Sequence, residues 1–185
     1  MKGKILTRVK MLCAILDVFS EVVGRYVSWL ALAMVLVQFL IVIGRYVFGV
    51  GSIPLQETII YSHALLFLLG SACTLLHGGH VRVDIFYAKA SLKLRALIDL
   101  LGSVFLLIPV CVAIFALSWT YVTGSWQISE SSFESSGIAY IYLLKTMILV
   151  FCGMMILQGI SMALRSILVL AGQDTIEAPT ALDGI

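Results

Sequence analysis

Four stretches of this chain contain no Asp, Glu, Lys or Arg: Tyr26 to Gly44, Thr58 to Val81, Leu100 to Ser129 and Thr146 to Leu164. Each is at least 19 residues long, and a bilayer core of about 30 Å is crossed by roughly 20 helical residues. Lipid offers no partner to an open backbone N–H or C=O, so each stretch must be a helix that closes its own hydrogen bonds. Composition agrees: 61% of the 185 residues are hydrophobic and 12% are charged, with a mean hydropathy of +1.09. Polar groups are too few to coat a soluble globule of this length. The expected fold class is an all-α membrane protein, four transmembrane helices preceded by an amphipathic interfacial helix.

The expected domains are residues 1–26, a cytoplasmic N-terminus and amphipathic helix; 27–168, a four-helix transmembrane domain with spans near 27–46, 56–78, 94–119 and 138–165; and 169–185, a cytoplasmic polar tail. In the first, Ile5, Val9, Leu12, Leu16, Phe19, Val23 and Tyr26 recur at spacings of four and three, opposite Lys10, Asp17, Glu21 and Arg25. That pattern suits a helix lying in the membrane interface, or else an extension of the first span. Ala31-Leu32-Ala33 mimics a signal cleavage site, but Asp17, Glu21 and Arg25 interrupt the apolar run, and an uncleaved helix is expected. Pro109 falls inside the third span, where it removes a backbone donor and should bend the helix. Ser91 is a candidate N-cap of that span, and Ser52 with Pro54 suits the start of the second.

Lys and Arg are unevenly shared among the connections. Lys2, Lys4, Arg8, Lys10 and Arg25 precede the first span, and Arg82, Lys89, Lys93 and Arg95 join the second to the third. The first connection carries only Arg45, and Lys145 is the sole basic residue around the third, beside Glu130 and Glu134. By the positive-inside rule both termini are expected in the cytoplasm. Trp119, Tyr121, Trp126, Tyr140 and Tyr142 gather at the opposite boundary, as an aromatic belt does.

Residues able to do chemistry are sparse. Cys13, Cys73, Cys111 and Cys152 are dispersed, with no Cys-x-x-Cys pair and, on this reading, no histidine at metal-ligand spacing; they are expected to be packing residues. Quinone-linked disulfide enzymes, which need paired cysteines in wet loops, are disfavoured. Gln38 and Gln158 are expected to hydrogen-bond between helices. His63 and His77 share a helix face about 21 Å apart, but a bis-histidine haem would need matched histidines on a second helix, and the third histidine, His80, follows the same span. Gly70 and Thr74 on that face should admit a neighbouring helix, and Cys152, Gly159 and Ala163 form a similar small stripe. Arg45, Glu57, Asp99, Lys145 and Arg165 stand at span ends, where snorkelling or pairing anchors them. There is no nucleotide loop, zinc motif, activated nucleophile or acidic ring, nor a basic stripe for nucleic acid. No enzyme, no cofactor and no nucleic-acid partner is expected.

From about Arg25 to Arg165 the chain resembles the small membrane subunit of TRAP (tripartite ATP-independent periplasmic) transporters. The resemblance rests on Gly44-Arg45-Tyr46-Val47-Phe48-Gly49, on Leu55-Gln56-Glu57 with Tyr61, and on Gly79-His80-Val81-Arg82-Val83-Asp84-Ile85-Phe86-Tyr87. Ser118-Trp119, Ser125-Trp126, Glu130-Ser131, Lys145 and Leu157-Gln158-Gly159 follow in matching order. Similar proteins commonly open the fourth span with Gly-x-Pro, whereas here Gly137-Ile138 is followed by Ala139. The resemblance implies a bacterial inner-membrane subunit of a sodium-coupled system for organic acids or related solutes. Its partners would be a large membrane subunit that holds the sodium and solute sites, a periplasmic solute-binding protein and membrane lipids. Arg45, Gln56, Glu57, His63, His80, Arg82, Asp84, Lys145 and Gln158 are the subunit-interface or structural candidates. The competing reading is an orphan four-helix membrane assembly factor or small channel.

Overall fold

The computed structural model describes residues 2–79 and 90–172. Four helices cross the apolar layer: α1 (Lys2–Tyr46), α2 (Ile53–Leu76), α3 (Leu92–Gln127) and α4 (Ile141–Leu170). The N-terminal arm and the first span are one unbroken helix. At 45 residues α1 is about 68 Å long, more than twice the hydrocarbon core, so its first half must extend beyond that core.

Short connections make successive helices antiparallel. The turn after α1 uses Gly49 at φ 68°, with Val50 N–H bonding back to Gly44 C=O at 2.8 Å. Pro54 lies in the first turn of α2, where no intrahelical N–H is needed. Ser91 caps α3, its hydroxyl accepting from Leu94 N–H at 3.4 Å. Gly102–Leu107 in α3 is a π-helical turn in which Ile108 N–H reaches back five residues to Ser103 C=O. Pro109 follows two residues after its end, and the wider turn gives room to a ring that would collide with a carbonyl in a regular α-helix.

The helix α4 packs against each of the other three, while α1 packs on α2 and α4. The buried apolar cluster joins Ala72 and Leu75 of α2, Cys111 of α3, and Cys152, Met154 and Met155 of α4. Small residues permit this closeness: a Cβ on Gly159 would meet Leu107 Cδ2 at 2.8 Å, and one on Gly24 would fall on the Cys73 side chain. Outward faces stay apolar, as Trp29, Phe39, Phe67, Phe105 and Leu117 illustrate by their exposure.

Polar residues bracket the spans at a regular interval. Arg25 and Arg45, Glu57 and His77, and Lys145 and Arg165 are each 20 positions apart, about 30 Å along a helix axis. The bundle therefore has two polar ends separated by one hydrocarbon thickness.

Candidate functional site

At the end nearer the N-terminus, α1 turns Cys13, Asp17 and Ser20 inward, at 0%, 0% and 2% exposure. Asp17 Oδ1 accepts from Gln158 Nε2 at 3.1 Å and from Ser161 Oγ at 2.8 Å, and its Oδ2 pairs with Arg165 Nη2. Ser20 Oγ donates to Gln158 Oε1 at 2.7 Å, so the Gln158 amide is used on both sides. Three residues of α4, at 158, 161 and 165, present one face in successive turns to receive this carboxylate. Beside them a cavity of about 400 Å³ is bounded in part by Arg95, Asp99, Gln158 and Arg165. The Arg165 Nε opposite this pair has no hydrogen-bond partner among the described residues.

This arrangement corrects the expected facing of the arm. Lys10 and Arg25 are exposed as expected, but Asp17 is buried and Glu21 half-buried, while Leu12 (45%) and Phe19 (47%) of the apolar face are exposed. A helix near lipid gains more by turning a carboxylate toward protein donors than by hiding leucines that lipid solvates equally well. Polar and small residues at 13, 17, 20, 21 and 24 follow helical spacing, and this was the available signal for a protein-facing stripe.

One turn along α1, Glu21 meets α2. Its Oε2 lies 3.2 Å from His77 Nε2, and Cys73 Sγ lies 3.7 Å from the same oxygen. The expectation that no histidine stands at ligand spacing from a cysteine is also corrected, since Cys73 and His77 are four residues apart and their ligand atoms converge with that of Glu21. Gly78, at φ 68°, stops α2 just beyond His77, with Gly79 N–H closing on Thr74 C=O at 2.8 Å. His77 is thereby left at an open helix end.

The opposite end has its own polar set. Glu57 of α2 takes Ser132 Oγ on one oxygen and Ile138 N–H on the other, the latter at 2.5 Å. It thus ties the connection between α3 and α4 to the start of α2. Gly137 is needed there, because a Cβ would collide with Ser132 and with Glu57 Oε1. Lys145 Nζ pairs with Glu130 at 2.5 Å and sits 4.0 Å above the Tyr121 ring. The hydrogen bond from Lys145 holds the Glu130 carboxyl below its usual range. Trp126 Nε1 donates to Thr146 Oγ1 at 2.8 Å, and the Trp126 ring meets Tyr142 edge-on at 4.7 Å.

Of the candidates named from sequence, the structure puts Gln158 in the inner lock and Glu57 and Lys145 in the outer set. Arg45 is exposed at the end of α1, and Gln56 is half-buried beside Glu57. His63 is exposed and stacks on Phe67 with 6.4 Å between centroids. Gln38 is exposed on α1. His80, Arg82 and Asp84 lie outside the described residues.

A bundle of four apolar helices, cross-tied by polar groups at two levels one bilayer core apart, is a multi-pass integral membrane protein. Residues 34–169 match the family of tripartite ATP-independent periplasmic transporters, DctQ component. The chain belongs to this family, the small membrane subunit of TRAP transporters. No curated protein and no solved structure matches it significantly.

Proposed function

We propose that the chain braces the large membrane subunit of a sodium-coupled TRAP transporter and helps it receive a periplasmic binding protein loaded with an organic acid or related solute. Family membership supports the partners. The observation that carries the bracing role is the state of the buried Asp17. Its two oxygens are held by Gln158, Ser161 and Arg165, and a carboxylate whose charge is already matched by a guanidinium is a structural tie rather than a site that binds and releases a coupling ion. The large exposed apolar faces of α1, from Met11 to Phe39, suit a larger membrane partner and the surrounding lipid.

In this reading both termini face the cytoplasm, and Gly49 to Pro54 and Ser125 to Gly137 face the periplasm of the bacterial inner membrane. The unequal Lys and Arg content of the connections supports it. His80, Arg82 and Asp84 are proposed to help dock the large subunit.

Reconstitution separates bracing from transport. Liposomes with this chain alone should show no solute uptake under a sodium gradient, and adding the large subunit and the binding protein should restore it. Uptake by this chain alone would end the bracing reading and favour an independent channel or carrier.

A further inference from the structure

The contact between Glu21, Cys73 and His77 poses a problem of charge. His77 Nδ1 lies 2.9 Å from the carbonyl oxygen of Cys73. A carbonyl can only accept, so the Nδ1 proton is committed there. A ring protonated on both nitrogens would donate to both partners, whereas the neutral ring has its lone pair on Nε2, and Nε2 faces Glu21 Oε2 at 3.2 Å. A lone pair and a carboxylate oxygen at that distance repel unless a cation lies between them. The Nδ1–H···O=C bond is also the outer-shell contact that orients a metal-binding imidazole through its other nitrogen.

The distances fit such an ion. A tetrahedral zinc with bonds of about 2.0 Å to N and O and about 2.3 Å to S has edges of about 3.3 Å between N and O and about 3.5 Å between S and O. The corresponding separations here are 3.2 Å for His77 Nε2 to Glu21 Oε2 and 3.7 Å for Cys73 Sγ to Glu21 Oε2. One ligand atom from each of the three residues lies within 4.8 Å of the others, and Cys73 Sγ is also 3.7 Å from His77 Nδ1. The site is built by backbone approach: Gly24, one turn from Glu21, lets α1 press on the Cys73 side chain. It stands at the polar end of the bundle, His77 being 42% exposed, and an adjoining groove of about 510 Å³ runs past Gly24, Cys73 and Thr74.

We propose that Glu21, Cys73 and His77 form a binding site for a zinc-class divalent transition metal that clamps α1 to α2. One nitrogen, one sulfur and one oxygen ligand make a borderline set that favours zinc over magnesium or calcium. The fourth tetrahedral position is left for water. On binding, the Cys73 thiol releases its proton to solvent and the metal–sulfur bond forms; Glu21 binds as carboxylate and His77 through Nε2, with no change of oxidation state. The site is independent of the transport role proposed above.

Cobalt(II) serves as a visible probe of the full-length chain in lipid nanodiscs. One equivalent should bind, giving a thiolate-to-cobalt charge-transfer band and the strong ligand-field bands of four-coordinate cobalt, and zinc should displace it. Cys73→Ser should abolish the charge-transfer band. His77→Gln and Glu21→Gln should weaken binding by more than about 100-fold, beyond the loss expected for an outer-shell partner. Zinc should also slow alkylation of Cys73 in the wild-type chain and not in His77→Gln, which tests the site without removing the thiol. A hexa-aquo cobalt spectrum, a charge-transfer band surviving Cys73→Ser, or alkylation indifferent to zinc would overturn the proposal. The cation between Nε2 and the carboxylate would then be a proton.

Discussion

Asp17 is fully buried, yet its surroundings are complete: two neutral donors from α4 and one guanidinium divide its two oxygens. Such a pair is defined less by its net worth than by the loss when one member goes. Asp17→Ala should destabilise the fold by about 3–5 kcal/mol, since Arg165 would lose the carboxylate that pairs with it. Adding Arg165→Met should recover a large part of that loss, because the stranded charge goes too. Thermal unfolding of the purified chain in one detergent, taken through the double-mutant cycle, checks this; additive losses would mean that the two side chains do not depend on each other. Lys145 and Glu130 differ in kind. They lie near the aqueous boundary, where loss of one partner leaves the other within reach of water.

Helix contacts in this bundle are set by what is missing at glycine positions. At Gly24 the obstacle to a methyl is the Cβ of Cys73, fixed to its backbone; at Gly159 it is the flexible end of Leu107; at Gly153 nothing lies within 4 Å. The expected order of damage follows. Gly24→Ala should force α1 off α2 and cost about 1–3 kcal/mol, Gly159→Ala should cost less, and Gly153→Ala should be neutral or stabilising by up to about 1 kcal/mol through helix propensity. Unfolding temperatures of the three variants test the ranking, and equal effects at 24 and 153 would refute the close crossing. The π turn before Pro109 belongs to this scale as well. Sequence places the proline inside a span and so announces an irregularity, but only the structure shows that the helix widens there, with Leu107 and Ile108 against Gly159 on α4.

Across the whole molecule, the 20-residue interval between polar brackets matches the thickness of the hydrocarbon core and gives the bundle two defined ends. Their assignment to compartments is open to labelling. In a Cys73→Ser background, where the other native cysteines are buried, single cysteines at Gly51 and Ser131 should react with an impermeant thiol reagent in intact spheroplasts, and one at Lys93 should react only after lysis. All three positions are exposed in the structure. The reverse pattern would invert the proposed topology. Much of this was legible beforehand. The charge-free stretches dictate four helices because lipid leaves the backbone no alternative, Ser91 and Pro54 mark helix starts by local chemistry, and the motifs around Gly44-Arg45, Gln56-Glu57 and Gln158-Gly159 point to the family. What the sequence did not yield is which charged side chain meets which. Asp17 and Arg165 are separated by 148 positions, and Glu21 meets Cys73 across 52; no local pattern pairs them. A helix shows its polar stripe in one dimension, but whether that stripe faces water or protein is decided only when a second helix brings donors to it. In a membrane the usual inference from apolar faces to the interior loses its force, because lipid receives leucine as readily as the core does.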